Sequence, residues 1–327
     1  MLEGKDLILA TKPYAKEILW KSWLYSMSTL AIVIAFMFGM YLLDNTYLRM
    51  LCSLGTGLTM VRKFVIYHDH QHHAILHQSP LGNIIFTLWG IYMLTPTSIW
   101  KRSHDYHHNH NSKLFSASIG SFPILTKEKF LKISKLQQRA YLAVRSPLSI
   151  IFGYFSMFIY GMSYQSFTSS PRRHWDSLVA LVLHVTAAVL IFAFFGWFTF
   201  VLFLFPFFFS FMMGAYLFYA QHNFPGVTFK ENIEWSYEHA ALESSSFMKM
   251  NFFWRWVTAN IGFHHIHHIN SKIPFYRLPE VMKAFRELQQ PKITTLNPSD
   301  IIACFKLKLW DPVRNKMISR AEIYQPA

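Results

Sequence analysis

Between Leu178 and Tyr219 the chain carries no Asp, Glu, Lys or Arg. Only Gly196-Trp197 interrupts this run, dividing it into apolar stretches of about 178–195 and 198–219. As helices, both approach or exceed the length needed to cross about 30 Å of hydrocarbon. A two-residue joint makes them a helical hairpin. A second pair lies nearer the N-terminus: an uncharged stretch of about 24–43, the turn Asp44-Asn45-Thr46, and a stretch of about 47–67. Arg49 sits at one end of that last stretch and Arg62-Lys63 near the other, where their long stems are expected to snorkel to the interface. Pro206 is expected to kink the final span. The predicted fold is all-α integral membrane, with four transmembrane helices in two hairpins, interfacial helices and a His-rich cap, in one domain over residues 1–327.

Composition agrees. The chain is 52% hydrophobic and only 15% charged, against about a quarter charged in soluble domains. The net charge of +14 does not form a basic patch with interleaved aromatics, so nucleic acid is excluded as a partner. The basic residues instead flank apolar runs, as membrane-orienting charge does. The joints at 44–46 and 196–197 contain no Lys or Arg, whereas 101–145, 172–173 and the C-terminal part are basic. The positive-inside rule therefore places both termini and the region after each hairpin in the cytoplasm. Residues 1–24 read as an interfacial segment with no cleavable signal, and a bacterial inner membrane is the expected location. Cys52 and Cys304 supply neither a disulfide framework nor a CxxC site.

Other segments are less sharply defined. Residues 83–100, with Gly90, Thr95, Pro96 and Thr97, fit a re-entrant or interfacial helix, and 147–164 fit a span or an interfacial helix. Residues 111–146 are polar and basic, and everything after Gln221 is largely polar.

Thirteen of the 17 histidines fall within 68–77, 104–110 and 264–268. On a helix, His104, His107 and His108 stand at i, i+3 and i+4, and His264, His267 and His268 repeat that spacing. His68 and His72 are i, i+4 partners. One such cluster could be a solvated His-rich helix; three on the same side of a membrane point to imidazole ligands for iron, copper or zinc. His222 ends the last span on that side and becomes a ninth candidate. His70, His73, His77, His110 and His265 point elsewhere on their helices, in supporting or surface positions. His174, His184 and His239 read as structural, His184 as a hydrogen-bond partner for another helix. Zinc takes about four ligands and octahedral iron six, so eight or nine imidazoles imply two ions. There is no HExxH pattern for a zinc protease and no Glu-x-x-His pair of a carboxylate di-iron bundle.

The arrangement resembles the membrane fatty acid desaturases and related hydroxylases. Their three boxes, HxxxH, HxxHH and HxxHH, match His68-Asp-His-Gln-His72, His104-Asp-Tyr-His107-His108 and His264-His-Ile-His267-His268. The likeness extends to Phe218-Tyr-Ala-Gln-His222, Ile273-Pro274-Phe-Tyr276-Arg-Leu278 and Lys308-Leu-Trp310-Asp311, and is greatest to the acyl-lipid Δ12 (omega-6) type. Box one departs from the usual pattern, with His70 and Gln71 where a small residue and Gly are common. The resemblance implies a di-iron centre held by His68, His72, His104, His107, His108, His222, His264, His267 and His268. It implies O2 as co-substrate, a fatty acyl lipid as substrate and a cis double bond as product. Two Cys cannot hold an iron–sulfur cluster, so a ferredoxin or cytochrome is expected to bring electrons, with the basic stretch 127–145 a candidate surface for it. The alternative is a hydroxylase or ketolase with the same di-iron site. A metal transporter or sensor would need polar residues along the spans, which are scarce.

Overall fold

The computed structural model describes residues 2–114, 122–231 and 233–325. Part of the basic stretch 111–146, residues 115–121, lies outside the described residues. The chain is mostly helical. A short α1 (Gly4–Ala10) precedes α2 (Leu19–Leu42) and α3 (Thr46–Gln71), and then come α4 (Pro80–Tyr92) and α5 (Thr97–His110). Small helices α6 (Lys127–Lys132), α7 (Lys135–Val144) and α8 (Pro147–Ile151) lead into a π-helical stretch, Tyr154–Gln165, and its last turn α9 (Ser166–Ser169). The run α10 (Trp175–His222) is followed by α11 (Tyr237–Glu243), α12 (Phe252–Val257), α13 (His264–Ile269), α14 (Leu278–Ala284) and α15 (Pro298–Lys306).

Among the described residues two helices, α2 and α10, are long and apolar enough to cross a membrane. α4, at 13 residues, is about 20 Å long and too short to span. The all-α expectation needs one correction. Two small sheets form in the polar C-terminal part: β1 (Phe247–Lys249) parallel to β2 (Ile293–Thr295), and β3 (Leu307–Asp311) antiparallel to β4 (Lys316–Ser319). Strands of three to five residues leave too little period-two pattern to be read from sequence.

α2 and α3 pack as a hairpin, joined by a turn in which the Asn45 side chain accepts the Leu48 N–H. The face of α2 turned inward is small and polar, with Ser22, Ser26 and Thr29 buried. It receives the two cations expected at the interface. Lys63 donates to Ser26 Oγ at 2.6 Å, and Arg62 to Thr29 Oγ1 at 3.1 Å and to the Trp256 carbonyl. Both are buried inside the protein rather than snorkelling, because carbonyls, hydroxyls and the aromatic faces of Trp256 and Phe86 replace water around them.

In α10, Gly196 has φ +74° and ψ 179°, the one non-helical residue of the run. The arms on either side fold back on each other: the His184 ring lies 4.6 Å from that of Phe207, and Phe192 lies 5.6 Å from Phe200. The expected hairpin joint is therefore present. The backbone keeps helical angles through Pro206. Proline withholds an N–H from the Leu202 carbonyl four residues earlier, and Ser53 Oγ of α3 donates to that oxygen at 2.8 Å instead. Arg49 ties the two turns together, donating to the Met40 carbonyl and to Thr199 Oγ1. The far ends of α3 and α10, carrying His68–His72 and His222, thus meet beneath α5 and α13.

Candidate metal centre

Nine buried or nearly buried histidines converge there in two groups. His68, His72, His104, His108 and His267 form one; His107, His222, His264 and His268 form the other. Within each group the candidate ligand atoms lie within 4.8 Å of one another. These are the nine positions implied by the sequence resemblance, and each box is shared in a definite way. The i, i+4 pair His104/His108 faces the first group, while His107, one residue away from His108, turns to the second. Box three is the complement: His264 and His268 face the second group and His267 the first. The two three-histidine boxes therefore interlock, each straddling both groups.

The Nε2 atoms of His104 and His108, of His108 and His267, and of His107 and His222 are 3.1 Å apart; those of His222 and His264 are 2.8 Å apart. Nitrogens each about 2.1 Å from a shared ion stand about 3 Å apart at a right angle, so the spacing fits imidazoles around cations. Burial and neighbouring imidazoles hold His72, His104, His107, His108, His264, His267 and His268 well below the ordinary histidine pKa, in the neutral form a metal needs. Neither group contains a carboxylate or a thiolate.

Outer contacts fix several rings. Asp69, buried, accepts from His68 Nδ1 at 3.3 Å and from the Phe275 N–H at 2.6 Å, joining box one to the loop after box three. His222 Nδ1 donates to the Ser244 carbonyl at 3.0 Å. Trp100 stacks on His104 with ring centroids 4.5 Å apart. The remaining histidines fall outside both groups. His70 meets Asn83 Oδ1 and stacks on Phe86, so the unusual residue in box one is a supporting contact between α3 and α4. His265 meets the Leu288 carbonyl, His174 meets Ser98, His184 meets the Tyr154 hydroxyl and His239 meets Thr228. His73 and His77 pair ring to ring near the surface, and His110 stacks on Tyr106. The role of Asp69 escaped the sequence reading, although its place beside His68 was the available signal.

Both groups border one cavity of about 330 Å³. His68, His104 and His264 line part of it, and mostly apolar residues, many of them from α3, α10 and the π-helical stretch, line the rest, with Gln165, Ser210 and Gln221 among them. Ser103, whose buried hydroxyl has no hydrogen-bond partner, faces it beside His104.

A helical protein with interlocked histidine boxes, two imidazole groups and an apolar cavity running from them belongs to the histidine-rich membrane oxidoreductases. The sequence model of the fatty acid desaturase family matches residues 45–298, and the chain belongs to that family. A fatty acid desaturase of Bacillus subtilis (strain 168) is 31% identical over 300 residues, covering 86% of this chain and 82% of the relative. Chloroplastic omega-6 fatty acid desaturases of Spinacia oleracea and Glycine max are each 24% identical, over 287 and 298 residues. Those alignments cover 81% and 86% of this chain, and 61% and 67% of the plant proteins. The chain is thus an enzyme of the desaturase family, with a fatty acyl lipid as its substrate class.

Proposed function

We propose that this chain inserts a cis double bond, of the Δ12 or omega-6 type, into a lipid-linked acyl chain at a di-iron centre. One observation carries the reading: histidines of both imidazole groups line one largely apolar cavity. His68, His72, His104, His108 and His267 would hold one iron, and His107, His222, His264 and His268 the other. When bound, the iron pair supplies O2-dependent removal of two hydrogens from adjacent methylenes, with water as co-product. The protein's part is positioning. A saturated chain offers no polar handle near the reacting carbons, so the walls of the cavity must hold it in register against the metals.

The reading includes a membrane architecture. α2, α3 and the two arms of α10 would span the bilayer as two hairpins, which the tied turns at Arg49 and Thr199 support. The basic loops support a cytoplasmic position for the centre, and a bacterial inner membrane is the proposed host membrane. Residues 1–327 would act as one domain, supported by a hydrophobic cluster that runs from Leu7 to Met317. Electrons would come from a ferredoxin or cytochrome docking on the basic cytoplasmic face. Arg145 contributes nothing to such a surface: it is buried, donating to Asn223 Oδ1 and the Pro123 carbonyl.

The test is the acyl profile of a heterologous host producing the chain with a reductase and donor, read by gas chromatography with double-bond location. A new diene, its second bond on the methyl side of the existing one, is the expected product. A hydroxylated or keto product would move the chain to the oxygen-inserting branch of the family, and zinc in place of iron would remove the oxygen chemistry altogether.

A further inference from the structure

The cavity narrows or widens according to what its walls present, and one wall residue has no structural reason to be what it is. On α10 the lining residues Phe211, Gly214, Ala215 and Phe218 fall on one helical face. Gly214 has ordinary helical backbone angles, so the chain conformation does not call for glycine there. Neither does packing. A Cβ at Gly214 would meet no atom within 4 Å, whereas one at Gly57 of α3 would come within 3.0 Å of Phe209. Glycine inside a helix is costly relative to alanine, and in membrane helices it is ordinarily kept for close helix contact. At Gly214 the space beside the backbone is the cavity itself. The facing π-helical stretch, a kind of helix found mostly at functional sites, adds Gly161 to the same lining.

We infer that Gly214 is a specificity-determining position, whose missing side chain keeps the cavity open to the methyl end of the acyl chain. The inference rests on the desaturase reading of the cavity. Gly214 lies eight residues before His222, about 12 Å of helix rise from the metal groups toward the membrane interior. Phe158, Phe211 and Ala215, which share the lining with Gly214, suit hydrocarbon rather than a lipid headgroup, so the segment passing Gly214 is assigned to the chain's methyl end. A side chain at this position would shorten the space beyond the metals. Long chains would be excluded first, and those still accepted would be held further back, placing the new bond closer to the methyl end.

The experiment uses the full chain with G214A and G214L. Binding of palmitoleic and oleic acid to the iron-free protein is measured by displacement of a fluorescent conjugated fatty acid, and product profiles are taken in the host. G214L is expected to bind oleic acid about tenfold more weakly, the scale of overfilling a packed site, with palmitoleic acid affected less. Products should shift to shorter chains. G214A should shift the profile in the same direction by less while raising the unfolding temperature, because alanine is the better helix former. A structural glycine would instead lose stability on that change. Wild-type chain-length preference in a folded G214A or G214L overturns the assignment of Gly214. Failure of the wild-type chain to bind fatty acid or to desaturate any acyl chain overturns the desaturase reading of the cavity instead.

Discussion

At the scale of residues, the chemistry rests on neutral imidazoles in fixed orientations. Replacing His72, His104, His107 or His268 by Ala is predicted to abolish desaturation, because each removes a nitrogen from one of the two groups. H174A should keep wild-type product yield within about twofold per folded molecule, since it removes no nitrogen from either group. His174 meets Ser98 and lies in neither group. Retained turnover in any of the first four variants contradicts the assignment. Asp69 acts through His68, whose Nδ1 it engages. D69N is predicted to weaken iron retention about 10- to 100-fold, the usual cost of losing such a partner, measured as the rate of iron loss to a chelator. Unchanged retention would leave Asp69 only its bond to the Phe275 N–H.

At the scale of elements, the histidine spacing was the most legible part of the sequence. Repeats at i, i+3 and i+4 identified the two three-histidine boxes and the pair in box one, because helical geometry alone brings those positions to one side. What spacing could not say was that His107 and His267 each cross to the opposite group, since that depends on how α5 and α13 interdigitate. The hairpin joint at Gly196-Trp197 was also legible, from the length of the uncharged run on either side. The fate of Arg62 and Lys63 was not: their partners Thr29, Ser26 and Trp256 are remote in sequence, and a charge near a span end reads the same whether it meets lipid headgroups or protein carbonyls. How the helix accommodates Pro206 was hidden for a similar reason, the freed Leu202 carbonyl being met by Ser53 of another helix. Gly196 occupies a backbone region essentially closed to other residues. G196A is therefore predicted to destabilise the hairpin by about 1–3 kcal/mol, seen as a lower unfolding temperature in detergent. An unchanged temperature would mean the turn relaxes without cost.

At the scale of the molecule, the two imidazole groups proposed to hold metal are also the weak point of the metal-free fold. Eight of their histidines are held below the ordinary value of 6.5 by burial, so the unfolded chain binds more protons than the folded one once the pH falls below that value. Stability then falls with falling pH. The iron-free protein should keep its full stability above about pH 6.5 and lose it progressively below, as followed by thermal unfolding across a pH series. A flat profile from pH 7 to 5 would show that these imidazoles are not desolvated.

The central claim is that two groups of histidines hold two irons, and metal content tests it most directly. The purified full-length chain is predicted to carry two irons per molecule. H222A, which removes a nitrogen from the group of four, should retain one, held by His68, His72, His104, His108 and His267. One iron in the wild type, zinc in place of iron, or an undiminished two in H222A would contradict the account.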